Sequence, residues 1–504
     1  MKKSILLFFI CASAIFLHAQ KNESVPKPVS AQITIPGQLS VTHGSVTING
    51  KKIDYTATTG YADLKNDTEK IIAKVFFTYY RKDADLPEKR PLTFAFNGGP
   101  GSSSVWLHMG VLGPRRVVLA DDGKAKSPPY QYVNNEFSWL DKTDIVFIDP
   151  VSTGFSRPVP GENPNQFHGY AEDIQSVGSF IRNFLSKYER WASPKFLAGE
   201  SYGTTRAAGL SDYLQTNYRI FLNGIFLISA VLNFGTNEYY PGNDLPAALY
   251  IPSYTAAAWY HKKLSAELLQ MNLQKVLGES EQFALGELAP ALLKGDWLRS
   301  TEKDSLAGKM SYYTGLSKEY CLQNNLRIEE DRFFKELRRK DGLTIGRLDA
   351  RFTGRDLDDA GEHEEYDPSF TNIDGPFTTA INDYFEKDLN FKEEKAYNIF
   401  GNVHPWNYNN VQNRFLNVAE NLRSAMTKNP ALKVYIGAGY FDFATPYYIA
   451  RYDIQHMFLR PELQQNIQFH FYEAGHMYYI NKPSLIQFKK DVDEFFDKNS
   501  NVIN

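Results

Sequence analysis

The chain has 504 residues, 43% of them hydrophobic and 22% charged, and a formal net charge of −3. Charge this evenly balanced argues against a nucleic-acid partner, whose phosphates call for a strong basic excess, and the aromatic share of 14% gives no hint of disorder. The length exceeds what one compact core usually holds, so two domains or one domain with a large insertion is expected.

The chain opens with Lys2 and Lys3, an apolar run from Ile5 to Leu17 and a cleavage point at His18 and Ala19. This is the pattern of an export signal over residues 1–19, the alternative being an N-terminal anchor. The expectation is therefore an exported protein, periplasmic or secreted, with no stable membrane insertion once the signal is removed. Cys11 follows the bulky Ile10 and makes a poor lipid-attachment site. After cleavage Cys321 is the sole cysteine, which leaves no intramolecular disulfide.

Residues 20–40 are polar and proline-rich, as in a mobile arm. From Gly44 the pattern alternates (Ser45 to Ile48, Ala73 to Tyr80), which predicts antiparallel strands with one wet face. Leu92 to Phe96 and Ile145 to Ile148 are continuously apolar, as in strands buried on both faces of a helix-covered parallel sheet. Ile174, Val177, Phe180, Ile181, Phe184 and Leu185 recur at helical spacing. A short strand at Lys195 to Ala198 and a helix from Thr204 to Leu214 follow. Beyond Leu232 the texture becomes charged and helix-like (262–277, 280–293, 328–340). Strands resume at Lys433 to Ile436 and Ile467 to Phe471, and a helix from Ser484 to Lys498 closes the chain. The expected organisation is an α/β core over 20–232 and 396–504, with a mostly helical cap inserted at 233–395.

Gly199-Glu200-Ser201-Tyr202-Gly203 is G-x-S-x-G between a strand and a helix, the setting of the nucleophile elbow in an α/β-hydrolase. The following helix aims its N-terminal amides at the serine. In this fold an acid and then a histidine follow the nucleophile. His476 directly follows a predicted strand, whereas His470 lies within it and His404 precedes Pro405 in a loop. Asp442 follows the strand that begins at Lys433 and can accept from the distal N–H of the imidazole. Asp453 is its nearest competitor and reads as a solvated helix residue. Asn97-Gly98-Gly99-Pro100-Gly101 follows the Leu92 strand, and its glycines let backbone amides approach a substrate oxygen. A phosphate-cradling loop would need a Lys-Ser/Thr pair at the right spacing, and none follows. No His or Cys cluster has metal-ligand spacing, and no cofactor is implied.

Together, Asn97 to Gly101 with Ser103-Ser104, Gly199 to Tyr202, Gly475-His476-Met477 and Asp149 to Ser156 resemble the serine carboxypeptidase family, peptidase family S10. Pro241 to Pro246 and Gly346 to Arg351 look like its bacterial branch. The resemblance implies a peptidase that removes C-terminal residues through an acyl-enzyme. Ser201 would attack, His476 carry the proton and Asp442 orient it, with the Gly99 and Tyr202 amides holding the oxyanion. Asn97, the Gly98 amide and a protonated Glu200 would bind the terminal carboxylate. The chain departs from the family pattern at three positions. A second carboxylate-binding Glu is Val111, the cysteine after Gly101 is Ser102, and the proline three places after the histidine is Tyr479. Loss of the Val111 carboxyl predicts weaker discrimination for free C-termini and less dependence on acid pH, with Arg115 or Arg116 able to compensate. An esterase or acyltransferase on the same framework, and a non-catalytic peptide binder, are the competing readings.

Overall fold

The two continuously apolar runs lie in the middle of a ten-stranded sheet. The computed structural model describes residues 39–83 and 86–500; the expected signal, Cys11 and nearly all of the polar arm lie outside these residues. The principal strands are β1 (Ser40–Ile48), β2 (Lys51–Lys65), β3 (Ile71–Lys82), β4 (Leu92–Phe96), β5 (Asp144–Ile148), β6 (Lys195–Ser201), β7 (Gly224–Ala230), β8 (Lys433–Gly439) and β9 (Ile467–Tyr472). They run in the spatial order β1-β2-β3-β5-β4-β6-β7-β8-β9. The first three strands are antiparallel, and β3 meets β5 antiparallel. All pairs from β5 to β9 are parallel.

Every residue of β4, β5 and β7 is buried, because helices cover both faces of the parallel part. The side chains alternate between two cores, as the pleat requires. Phe226 and Ile228 of β7 join Trp139, Phe488 and Phe495 on one face. Ile225 and Leu227 join Ile174, Phe180 and Phe184 on the other. The helices concerned are α1 (Tyr170–Lys187) and α2 (Tyr202–Tyr213), with a carboxy-terminal helix (Lys482–Asn499) on the opposite face.

Between β7 and β8 the chain forms a third core of its own. Its principal helices are α3 (Ile251–Tyr260), α4 (Leu273–Phe283) and α5 (Ser300–Thr314), which pack against Tyr440, Phe441 and Phe443 just beyond β8. The next long helix, α6 (Pro368–Lys387), belongs elsewhere. Its Ile373, Phe377, Ile381 and Tyr384 pack into the sheet-face core with Trp106 and Met109.

The run expected to be helical over 262–277 is broken. The Ser265 hydroxyl and the Asn272 side chain each accept a backbone N–H, so each starts a new helix and ends the last. A wider π turn, Ala284–Leu288, likewise interrupts 280–293. Only Glu330–Glu336 of the 328–340 run is α-helical.

Candidate active site

The carboxyl ends of four parallel strands bring their following segments together. After β4 comes the glycine loop, β6 ends at Ser201, and the turns after β8 and β9 carry Asp442 and His476. This is where open α/β sheets place their ligands. Ser201 has φ 59° and ψ −131°, a strained conformation for a non-glycine residue that lifts its hydroxyl out of the strand–helix turn. The flanking glycines are steric necessities. A Cβ at Gly199 would lie 2.1 Å from the Gly203 carbonyl, and one at Gly203 would lie 2.7 Å from the Phe96 carbonyl.

His476 Nδ1 bonds Asp442 Oδ2 at 2.8 Å. The Asp442 carboxylate is fully buried and fully used. Oδ1 accepts from the Ala444 and Thr445 amides, and Oδ2 also accepts from the Thr445 hydroxyl. Burial pulls the His476 pKa down, but the charge of Asp442, its hydrogen bond and the charge of Glu200 outweigh burial and leave it above the usual value. The histidine loop is pinned at both sides. His476 N–H donates to the Leu348 carbonyl at 2.6 Å, the Ser229 hydroxyl donates to the His476 carbonyl at 2.7 Å, and Gly475 N–H donates to Asp349 at 2.9 Å. Asp349 is held in turn by Arg351 at 2.7 Å. Among the described residues Ser201 Oγ makes no hydrogen bond; it shares one cavity with His476, and such contacts often tighten only when substrate binds.

The glycine loop abuts the elbow. A Cβ at Gly98 would be 2.3 Å from the Tyr202 nitrogen, and Gly99 adopts φ +104°. Tyr202 is the first residue of α2, so its N–H is one of the donors a helix start leaves without an internal acceptor. Asn97 is fixed at both side-chain polar atoms and at its carbonyl. Its Oδ1 accepts from Leu107 N–H, its Nδ2 donates to Glu200, and its carbonyl accepts from Arg206 at 2.6 Å. Arg206 is buried in α2 and paired with the buried Asp173 at 2.8 Å.

Glu200, Ser201, His476, Asn97, Gly98 and Gly99 all line a cavity of about 340 Å³. The far wall comes from the segment between β7 and β8, including Arg347, Asp367 and Phe370. Glu200 is 2% exposed. Burial is the main reason its pKa rises to about 7, against the opposing pull of His476 and of hydrogen bonds from Tyr479 and Asn97.

A family model described as serine carboxypeptidase matches residues 48–477. The chain belongs to that family. Serine carboxypeptidase-like 33 of Arabidopsis thaliana is 29% identical over 167 residues, 32% of this chain and 32% of that protein. Carboxypeptidase Y of Schizosaccharomyces pombe is 31% identical over 146 residues, 29% of this chain and 13% of that protein. The chain thus spans about a third or less of these curated relatives' length. The crystal structure of Kex1(delta)p, a prohormone-processing carboxypeptidase from Saccharomyces cerevisiae, gives a TM-score of 0.53 at 15% identity. It covers 88% of this chain and 92% of that one, and shows the shared α/β-hydrolase fold.

Four readings of this family member need correction or completion. Asp453 is on a helix (Tyr447–Gln455) but is not solvated. It is 3% exposed and accepts from Thr236 at 2.9 Å and from Asn233 N–H at 3.1 Å, because the chain leaving β7 folds over it. Arg115 and Arg116 are committed to Asp388 and Glu136 and do not line the cavity. Val111 is fully buried in a π turn, also off the cavity. Its lack of a carboxyl does not return Glu200 to the ordinary range, since burial alone is the dominant cause of the shift. Ser102 receives the Trp106 indole N–H at 2.9 Å and donates to the Ser103 carbonyl.

Arg206 and Thr445 carry no recognisable motif, and Asp349, Arg347 and Tyr479 lie in or beside recognised blocks without a stated role. For Asp349 the spacing Asp-x-Arg was a usable signal of a local ion pair. For Arg206 the only signal was a basic residue on the inner face of α2.

Proposed function

We propose that this family member is a serine-type exopeptidase that removes C-terminal residues from peptides through an acyl-enzyme on Ser201. The observation that carries the reading is the placement of a buried, raised-pKa Glu200 in the same cavity as Ser201 and the His476–Asp442 pair. His476 Nε2 takes the Ser201 proton as Oγ attacks the scissile carbonyl. The Gly99 and Tyr202 amides hold the oxygen as it becomes negative. The imidazolium is stabilised by Asp442 and returns its proton to the leaving amine. Water, deprotonated by the same ring, then releases the acyl group. Asn97, the Gly98 amide and protonated Glu200 bind the carboxylate of the leaving residue, and that binding confines cleavage to chain ends.

The reading extends to the rest of the chain. Residues 233–395 serve as the cap that shapes substrate choice; support comes from Arg347, Asp367 and Phe370 at the cavity wall. The blocks at Pro241 and Gly346 support assignment to the bacterial branch, and the residues 1–19 pattern supports export to the periplasm or outside the cell. Among the described residues no helix is long and apolar enough to cross a membrane.

The test compares a blocked dipeptide carrying a free C-terminal carboxylate with its amide. Faster release of the terminal residue from the free acid is expected below about pH 7, where Glu200 is protonated. Turnover of simple esters with neither peptide hydrolysed would support the esterase alternative instead.

A further inference from the structure

Tyr479 lies in the 3₁₀ turn Tyr478–Ile480, three residues after His476. Its ring is buried and occupies space that only glycine leaves free, since a Cβ at Gly110 would lie 2.5 Å from Tyr479 Cε2. Seated there, its hydroxyl donates to Glu200 Oε2 at 2.5 Å. Asn97 Nδ2 donates to the same oxygen at 3.1 Å. Among the described residues Glu200 Oε1 has no hydrogen-bond partner, while Glu200 itself lines the cavity beside Ser201.

Two donors on one carboxyl oxygen decide where a proton can sit. An oxygen that accepts both bonds is best left as the carbonyl-type oxygen, so the proton of the neutral acid resides on the other. We propose that Tyr479 is a positioning residue that, with Asn97, directs the Glu200 proton onto Oε1, so that Oε1–H donates to the terminal carboxylate of the substrate. No proton is transferred in this step; a neutral acid donates one hydrogen bond to an anion. The inference rests on the reading of Glu200 as the group that binds the terminal carboxylate.

The phenol differs from a second carboxyl in kind. Burial, with the charge of Glu200 behind it, holds the Tyr479 hydroxyl well above its ordinary pKa, so it stays a donor throughout the working range. Of this hydrogen-bonded pair, Glu200 is then the partner that titrates near neutrality. The groups facing it are His476 and Asp442 from the loops after β9 and β8, Tyr478 and Tyr479 from the 3₁₀ turn, and Asn97 from the glycine loop. Arg347 also lines the cavity and acts on His476.

The experiment measures kcat/KM between about pH 5 and about pH 9 for the blocked dipeptide and its amide, in wild type, Tyr479→Phe and Glu200→Gln. Phenylalanine keeps the ring against Gly110 and removes only the donor. The preference for the free acid should fall about ten-fold in Tyr479→Phe, chiefly through KM, and the alkaline midpoint should rise by about one pH unit because a donor to the ionised form is lost. Glu200→Gln should lose that alkaline limb. Should Tyr479→Phe be inactive, infrared pH-difference spectra supply the same readout. The protonated-carboxyl band that Glu200→Gln removes should titrate at higher pH in Tyr479→Phe than in wild type. An unchanged midpoint, by kinetics or by spectroscopy, overturns the assignment to Tyr479. A wild type with no preference for the free acid overturns instead the reading on which it rests.

Discussion

Two corners of one site treat a carboxyl group in opposite ways. Asp442 has donors on both oxygens, two backbone amides on Oδ1 and the Thr445 hydroxyl with the His476 ring on Oδ2. Glu200 is just as buried, yet its two donors crowd onto Oε2. Donors around a carboxylate favour the charged form, while burial without enough of them favours the neutral one. The same side-chain chemistry thus serves at one corner to orient a base and at the other as an acid that can offer a proton.

The comparison breaks most completely at the anion's end. Ser201→Ala and His476→Ala should each lower kcat by about 10⁴-fold or more, with an unchanged thermal midpoint, and Asp442→Asn should come close because it favours the wrong imidazole tautomer. Steady-state assays on folded variants check this. Near-full activity in Asp442→Asn would show that the acid is another residue.

These three residues were legible because each sits in a short contiguous pattern at a strand end. Ser201 has its glycines, His476 its Gly-His-Met and Asp442 the end of an apolar strand. The strands β4 and β5 were legible for a similar local reason, their continuously apolar runs. The supports were not, because their partners are remote. Tyr479 meets Glu200 across 279 positions and Gly475 meets Asp349 across 126. Asp453 was misread for the same cause. Helical spacing says which side of a helix is polar, and cannot say that Thr236, 217 positions away, will cover it. The helices between β7 and β8 were misjoined because Ser265 and Asn272 look like ordinary polar residues until they cap.

A second break removes a brace behind the Glu200 corner. Arg206→Met strips a buried cation from Asp173 and from the Asn97 carbonyl. Leaving Asp173 buried and unpaired should cost about 3–5 kcal/mol, read as a lower midpoint in denaturant, with kcat/KM falling as Asn97 loosens. A loss below about 0.5 kcal/mol would mean that the pair is not structural.

The neutral acids predict how stability follows pH. Burial raises Glu200 to about 7, Asp149 to about 6 and Asp453 to about 8. A carboxyl whose folded pKa lies above its unfolded value contributes stability that is full below the unfolded value and lost as pH rises through the folded one. The thermal midpoint should therefore fall by about 5 °C between about pH 5 and about pH 8.5, and less steeply in Glu200→Gln. A midpoint that rises over that range would show these groups ionised at little cost.

The smallest expected effect is none. Cys321 is buried and its thiol is pushed up to about 12, so it is a poor nucleophile at neutral pH. The mature protein should melt at the same temperature with and without dithiothreitol.

The central claim is exopeptidase chemistry on Ser201, and mass spectrometry of a peptide library over time tests it most directly. Loss of single residues from free C-termini is expected, with amidated twins spared and Ser201→Ala inert. Internal cleavage, or release that persists in Ser201→Ala, would contradict it.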